Sequence, residues 1–236
     1  MNVSIENKII NWIRGQVKNA GAKGVVIGLS GGIDSSLAAV LCKKAVGNNM
    51  MGLIMPCHSP AEDVAYALLI SDRFDIKVNK INLTSIYDWL IDLCFQGDKI
   101  SLANVKPRLR MTVLYYYANN MNYLVCGTGN KSEIMTGYFT KYGDGGADIL
   151  PLGNFYKTQV RRLAKSMKIP QRIIDKPPSA GLWDGQTDEG EMGISYKDLD
   201  ELLLKYEKGE RISGKKAGRV LAMMKKARHK LNTPLK

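Results

Sequence analysis

An apolar β-branched run, Val25-Val26-Ile27, is followed at once by Gly28-Leu29-Ser30-Gly31-Gly32-Ile33-Asp34-Ser35 and then by Ser36-Leu37-Ala38-Ala39-Val40-Leu41. This order dictates a short buried strand, a tight turn and a helix, which is how a parallel α/β sheet begins. The turn leaves the first helical N–H groups free at the carboxyl edge of the strand, beside the positive end of the helix dipole. That is a ready site for an anion. Gly31 and Gly32 let the backbone turn and approach phosphate oxygens without a Cβ in the way, and Ser30 and Ser35 add hydroxyl donors. The plain alternative is an ordinary strand-to-helix turn capped by serine or aspartate.

The remaining pattern extends the same architecture. Ile5, Ile9, Trp12, Ile13 and Val17 fall at helical spacing, and Gly21 and Gly24 end that helix. After the glycine turn a helix runs to about Val46, and the run Met51–Met55 reads as a second strand stopped by Pro56. A helix over about 61–74 precedes an alternating strand at Ile76–Ile81, and helices follow over about 85–95 and 102–120. Tyr123-Leu124-Val125-Cys126 is a fourth strand that ends in Gly127-Thr128-Gly129. Strands alternating with helices predict a doubly wound, mainly parallel sheet with helices on both faces and right-handed crossovers. Ligands in such sheets bind beyond the carboxyl ends of the strands, so the two glycine turns face one site. The stretches Lys141–Gly153 and Lys176–Gly193 are too polar and glycine-rich to pack as elements, and read as long loops serving that site. The expectation is one domain over residues 1–236.

Composition excludes several classes. No apolar run approaches the ~20 residues needed to span a bilayer, and the first residues lack the layout of a signal peptide. Cys42, Cys57, Cys94 and Cys126 are scattered, and the chain has only two histidines, which argues against structural zinc and a disulfide framework. The simplest compartment is the cytoplasm. Net charge is +12, and residues 205–236 hold eleven Lys/Arg against two Glu. Such a tail suits nucleic acid, a membrane surface or a phosphorylated small molecule, or is a solvated helix face.

The glycine turn lacks the lysine of a Walker loop, and Asp34 stands where its helix begins. A carboxylate beside bound phosphate requires a cation such as Mg²⁺ between them. Ser-Gly-Gly-x-Asp-Ser resembles the signature of the ATP pyrophosphatases, which cleave ATP between its α- and β-phosphates. Gly127–Glu133 again runs from a strand end into a helix, and Glu133 would lie on a first turn, where an acid is favoured anyway. With Thr136–Asp148, Leu152–Lys157 and Gly193-Ile194-Ser195-Tyr196, nearly the whole chain resembles the ammonia-dependent NAD synthetases.

That resemblance implies a Rossmann-like, adenine-nucleotide alpha-hydrolase-like fold and a two-step ligase. The nicotinate carboxylate of deamido-NAD attacks the α-phosphate of ATP, giving an acyl-adenylate and pyrophosphate; ammonia then displaces AMP to give NAD. It implies that Gly28, Leu29, Ser30, Gly31, Gly32, Ile33, Asp34 and Ser35 hold ATP phosphates, with Thr128, Lys157 and Ser179 also on ATP. Asp34 and Glu133 would bind Mg²⁺. Arg108, Lys141, Asp148, His229 and Lys230 would hold deamido-NAD, and Asp144 would stand near the ammonia. Either Asp144 or Asp148 could take the ammonium proton. Ser179 replaces a more common threonine, and Met55–Pro60 departs from members that place an arginine and a glutamine around the adenine. Glutamine-using relatives carry a separate amidase domain, whereas one synthetase domain consumes all 236 residues here, so ammonia is the expected nitrogen source. The family is dimeric; the stripe Ile9, Trp12, Ile13 and the cluster Tyr115-Tyr116-Tyr117 are either subunit surface or core. Neither nucleic acid nor a membrane is an expected partner. Two rivals are a tRNA-thiolating pyrophosphatase, which lacks its paired cysteines here, and a non-catalytic ATP sensor, which needs no second metal carboxylate.

Overall fold

The computed structural model of the chain describes residues 4–183 and 185–231. Strands β1 (Gly24–Gly28), β2 (Met50–Ile54), β3 (Val78–Lys80) and β4 (Tyr123–Cys126) form one parallel sheet in the order β3-β2-β1-β4. The chain first builds outward from β1 to β3, then crosses back to lay β4 on the other side of β1. The order therefore reverses between β1 and β4, and that switch point opens a crevice at the carboxyl ends of both strands. Val25, Val26 and Ile27 are fully buried, as strands covered on both faces must be. β3 is shorter than the alternating stretch from Ile76 to Ile81, because the Ile76 N–H bonds back to the Ser71 carbonyl instead of joining the sheet.

Eleven helices lie among the described residues. In chain order the first five are α1 (Ile5–Asn19), α2 (Ile33–Val46), α3 (Ala61–Arg73), α4 (Thr84–Asp92) and α5 (Lys99–Met121). The short α6 (Lys131–Thr136), α7 (Lys157–Ser166), α8 (Gln171–Asp175) and α9 (Asp188–Met192) follow, then α10 (Tyr196–Glu207) and α11 (Lys215–Leu231). Residues of α1, α2, α3 and α7 share one core with one face of the sheet, and those of α4 and α5 share another with the opposite face. Buried residues ring α2, which is apolar all round because α1 and α7 cover its outer side. The doubly wound expectation is thereby met.

Of the two readings left open for the α1 stripe, core holds for Ile9 and Ile13, which pack against α2, and only Trp12 reaches the surface. One expectation is corrected. The stretch 176–193 is not wholly irregular: the Thr187 hydroxyl caps the Gly190 N–H, Gly193 closes the turn in the left-handed region, and Met192 buries between α10 and α11. Capping and burial at its two ends hold a five-residue helix that is too polar to announce itself by periodicity. No helix among the described residues is long and apolar enough to cross a membrane.

Candidate active site

The glycine turn runs from β1 into α2, a helix whose N-terminus carries no side-chain cap among the described residues. The serine-cap alternative is thus excluded. Ser30 and Ser35 instead bind one another, Oγ to Oγ at 3.0 Å, and Ser35 Oγ also accepts the Ser30 N–H. This brace shapes the loop and leaves the first α2 amides free for an anion. Gly31 adopts φ +80, and a Cβ there would stand 2.2 Å from the Asp63 carbonyl oxygen. Gly31→Ala is expected to destabilise the fold by roughly 2–4 kcal/mol and to weaken binding of a phosphate-bearing ligand at the turn. Thermal melts and nucleotide titration check this.

Opposite the turn, Lys157 at the start of α7 is only 2% exposed. Its Nζ donates to Asp34 Oδ2 at 2.5 Å and Glu133 Oε1 at 3.2 Å, and lies 5.0 Å from the Tyr196 ring centroid. A buried ammonium is tolerable only with such partners. Burial alone would lower its pKa, but Asp34 and Glu133 more than reverse this, so the charge is locked in place. The local supports are explicit. The Lys157 N–H is received by Ser132 Oγ, and the Thr158 N–H by Asp200 Oδ2 at 2.8 Å. The Asn130 side chain accepts the Glu133 N–H, Glu133 Oε2 accepts the Asn130 N–H, and Asn130 Nδ2 donates to Asp34 Oδ1 at 3.0 Å. Glu133 is therefore both the first-turn acid of α6 and a partner of Lys157.

Burial, only partly offset by Lys157, raises the Glu133 carboxyl to about 7 from 4.5. Its folded pKa exceeds its unfolded one, so the stability it contributes is full below 4.5 and lost as pH rises to about 7. Glu133→Gln keeps the α6 cap and is expected to flatten that part of the metal-free stability profile, read from melts between pH 4.5 and 7.

A cavity of about 680 Å³ joins these groups. Its walls include Gly28, Asp34, Thr128, Glu133, Asp144, Lys157, Ser179, Lys230 and residues of the 176–193 segment. That segment is fastened over the opening. Lys176 pairs with Asp63, Lys106 Nζ donates to the Leu182 carbonyl at 2.8 Å, and Lys99 lies 4.2 Å over the Trp183 ring. Asp188 of α9 is 4% exposed; Tyr196 Oη donates to its Oδ2 at 2.9 Å and lies 3.4 Å from Glu133 Oε1. Asp188 Oδ1 is the buried side-chain oxygen left without a partner among the described residues. Sequence reasoning assigned no role to Asp188 or Tyr196, although Tyr196 lies in a quoted motif.

The residues expected on the substrate side form a second group. Arg108 Nε approaches the Lys141 carbonyl at 3.4 Å, Lys141 Nζ donates to the His229 carbonyl at 2.6 Å, and Lys230 Nζ donates to the carbonyls of Gly137 and Phe139. Loop 137–144, α5 and the end of α11 thus gather four basic residues beside the cavity, of which Lys230 reaches its wall. The His229 ring meets the Lys226 carbonyl at 2.9 Å, as a residue at a helix end does. Asp148 is occupied at both oxygens, by the Val125 N–H and the Tyr115 hydroxyl. Asp144 accepts the Thr140 N–H, and the protein packed around its carboxyl raises its pKa. His58 points outward to Asp88 at 2.6 Å, so neither it nor Cys57 lines the cavity.

A protein-family model described as NAD synthase matches residues 5–234. The NH(3)-dependent NAD(+) synthetase of Archaeoglobus fulgidus is 49% identical over 233 residues, covering 98% of this chain and 94% of that protein. Among solved structures, the NMN synthetase of Francisella tularensis superposes with a TM-score of 0.91 at 40% identity, covering 98% and 96% of the two chains. The NH3-dependent NAD synthetase of Campylobacter jejuni, in complex with the nitrate ion, gives 0.86 at 33% identity, covering 98% and 97%.

Proposed function

Because this chain belongs to the NAD synthase family, we propose that its cavity carries out both halves of an ATP-dependent amidation on the residues described above. The reaction joins ammonia to deamido-NAD and yields NAD, AMP and pyrophosphate. A free carboxylate resists amidation because oxide is a poor leaving group; adenylation replaces it with AMP. The carboxylate oxygen bonds to the α-phosphorus as pyrophosphate departs, then ammonia bonds to the carbonyl carbon as AMP departs. The observation that carries this reading is Lys157, a buried cation between two carboxylates at neighbouring strand ends, facing uncapped helix amides. Both halves belong to the one synthetase domain expected over residues 1–236.

The α2 amides, Ser30 and Ser35 cradle the phosphates, with Thr128 and Ser179 on the nucleotide. Lys157 offsets charge at the α-phosphate. Asp34 and Glu133 fit Mg²⁺: they are hard oxygen donors, and one or two carboxylates with substrate phosphates are what this ion takes. Three acidic, histidine or cysteine groups placed to hold a metal alone do not occur among the described residues. When bound, the ion neutralises phosphate charge. Asp144, with its raised pKa, takes the proton released as ammonium becomes ammonia. Arg108, Lys141, Asp148, His229 and Lys230 hold the dinucleotide. The work is cytoplasmic, consistent with four free cysteines.

The test is whether ATP is split to AMP and pyrophosphate only in the presence of deamido-NAD, with NAD accumulating on addition of ammonium. Splitting of ATP without the second substrate, or a requirement for tRNA, defeats the proposal. One observation favours a shorter substrate: the match to an NMN synthetase. On that reading the same chemistry acts on a mononucleotide, and kcat/KM for nicotinate mononucleotide exceeds that for the dinucleotide.

The active unit is proposed as a homodimer joined through α4 and the start of α5. Trp89, Leu93 and Phe95 are 61%, 65% and 94% exposed there, beside Ile86 and Ile100. Trp89→Asp with Phe95→Asp is expected to yield a folded monomer, read by light scattering; an unchanged mass locates the contact elsewhere.

A further inference from the structure

Arg110 of α5 lines the cavity yet has no task in the reading above. Its Nε donates to the Met55 carbonyl at 3.0 Å and its Nη2 to Ser59 Oγ at 3.3 Å. Both bonds use one edge of the guanidinium, Nε with Nη2, and lock its plane against the end of β2. The other edge, Nη1 with Nη2, keeps two parallel N–H donors. Among the described residues no carboxylate forms an ion pair with it. Cys57, Asp144 and Asp63 influence it only through space, while burial lowers its pKa. A guanidinium nonetheless stays charged, so the fold maintains a desolvated cation whose fork is unspent.

We propose that this fork receives the carboxylate of the nicotinate ring and so distinguishes substrate from product. The inference rests on the amidation reading. A planar carboxylate matches the two parallel donors of a guanidinium edge. Phosphates already have the glycine turn and Lys157 across the cavity. Around Arg110 the wall is apolar, with Pro107, Met111 and Leu114, as an aromatic ring requires. Two side chains of this same wall reach the glycine turn: Met55 Cε and Leu114 Cδ1 lie 3.5 and 3.8 Å from where a Cβ on Gly28 would be. A carboxylate on Arg110 would share one cavity with the glycine turn and lie within the field of Asp144. Amidation removes the negative charge and turns one acceptor oxygen into an NH₂ donor facing an N–H donor. The product loses its grip on the fork.

The test is equilibrium titration of the whole protein with deamido-NAD, NAD and ATP separately. The unaltered protein is expected to bind deamido-NAD about tenfold or more tighter than NAD, the worth of one charge-assisted fork. In Arg110→Gln that ratio falls below about threefold through loss on the deamido-NAD side, while ATP affinity changes less than about threefold. Arg110→Lys keeps the charge without the fork and falls between. Equal affinity of the unaltered protein for both dinucleotides overturns the assignment, and needs no variant. So does a loss in Arg110→Gln that falls mainly on ATP, which marks a phosphate contact, or equally on all three, which marks a structural tie to Met55. If Arg110→Gln does not fold, the unaltered ratio and Arg110→Lys decide. A protein that makes NAD yet binds NAD as tightly as deamido-NAD defeats only the arginine assignment. One that amidates neither dinucleotide nor mononucleotide defeats the function itself.

Discussion

Asp34→Ala is expected to lower the rate of NAD formation by about 10²-fold or more, at least about 2.7 kcal/mol of transition-state stabilisation. Asp34 stands at the second position of α2, is 16% exposed at its side chain, and receives both Lys157 Nζ and Asn130 Nδ2. On the proposed reading its removal takes one of the two carboxylates that would hold Mg²⁺ at the mouth of the glycine turn. The amides and serines proposed to hold ATP are left in place, so the loss should fall on kcat more than on KM for ATP. Asp34→Asn separates charge from packing: it retains a side-chain oxygen for Asn130 but carries no charge. It should be nearly as slow as the alanine variant, and excess Mg²⁺ should not restore either. Parallel assays of AMP and NAD give the answer. Full turnover in Asp34→Ala would show that the cation is held by other groups.

How far the sequence revealed this molecule depended on how local each cause was. β1, the glycine turn and α2 were legible because one contiguous stretch holds all three causes: β-branched residues, glycines without Cβ and an apolar helix. The buried Lys157 was not. A lysine at a helix start has no pattern, and its partners lie 123 and 24 residues earlier in the chain. Only resemblance to a family singled it out. Asp188 lies on a helix of five residues held by a threonine cap and two buried side chains, which periodicity cannot register. Arg110 left a trace that went unread. At about 100° per residue, Arg108 and Arg110 point to nearly opposite sides of α5, and Lys106 shares the side of Arg110. One arginine therefore had to face the rim and the other the interior, where a charge needs a reason. The exposed α4 surface went unread for a related reason. The α1 stripe is no more apolar than that of α4, but α1 lies on α2 and α4 leaves its Trp89 uncovered.

Lys157→Met should be the most damaging single change in the protein. NAD formation is expected to fall by about 10³-fold, because the α-phosphate loses its fixed cation in a water-poor site. Stability should respond with a distinct signature. Methionine fills the volume but leaves Asp34 and Glu133 facing each other without a counter-charge. Removing one partner of a buried pair costs about 3–5 kcal/mol. The deficit must depend on pH. Lys157 is what holds the Glu133 carboxyl down against burial and Asp34, so without it the pKa rises further. At pH 5 Glu133 is protonated in the variant and the repulsion is largely relieved, whereas it grows as pH rises through the raised Glu133 pKa. Melts in chelator should therefore show variant and parent converging as pH falls, and Mg²⁺ should recover stability in the variant by replacing the missing charge. Recovery of stability without recovery of rate would assign Lys157 to the chemistry. A variant that regains both with Mg²⁺ would reduce Lys157 to a counter-ion that keeps two acids together until the metal arrives.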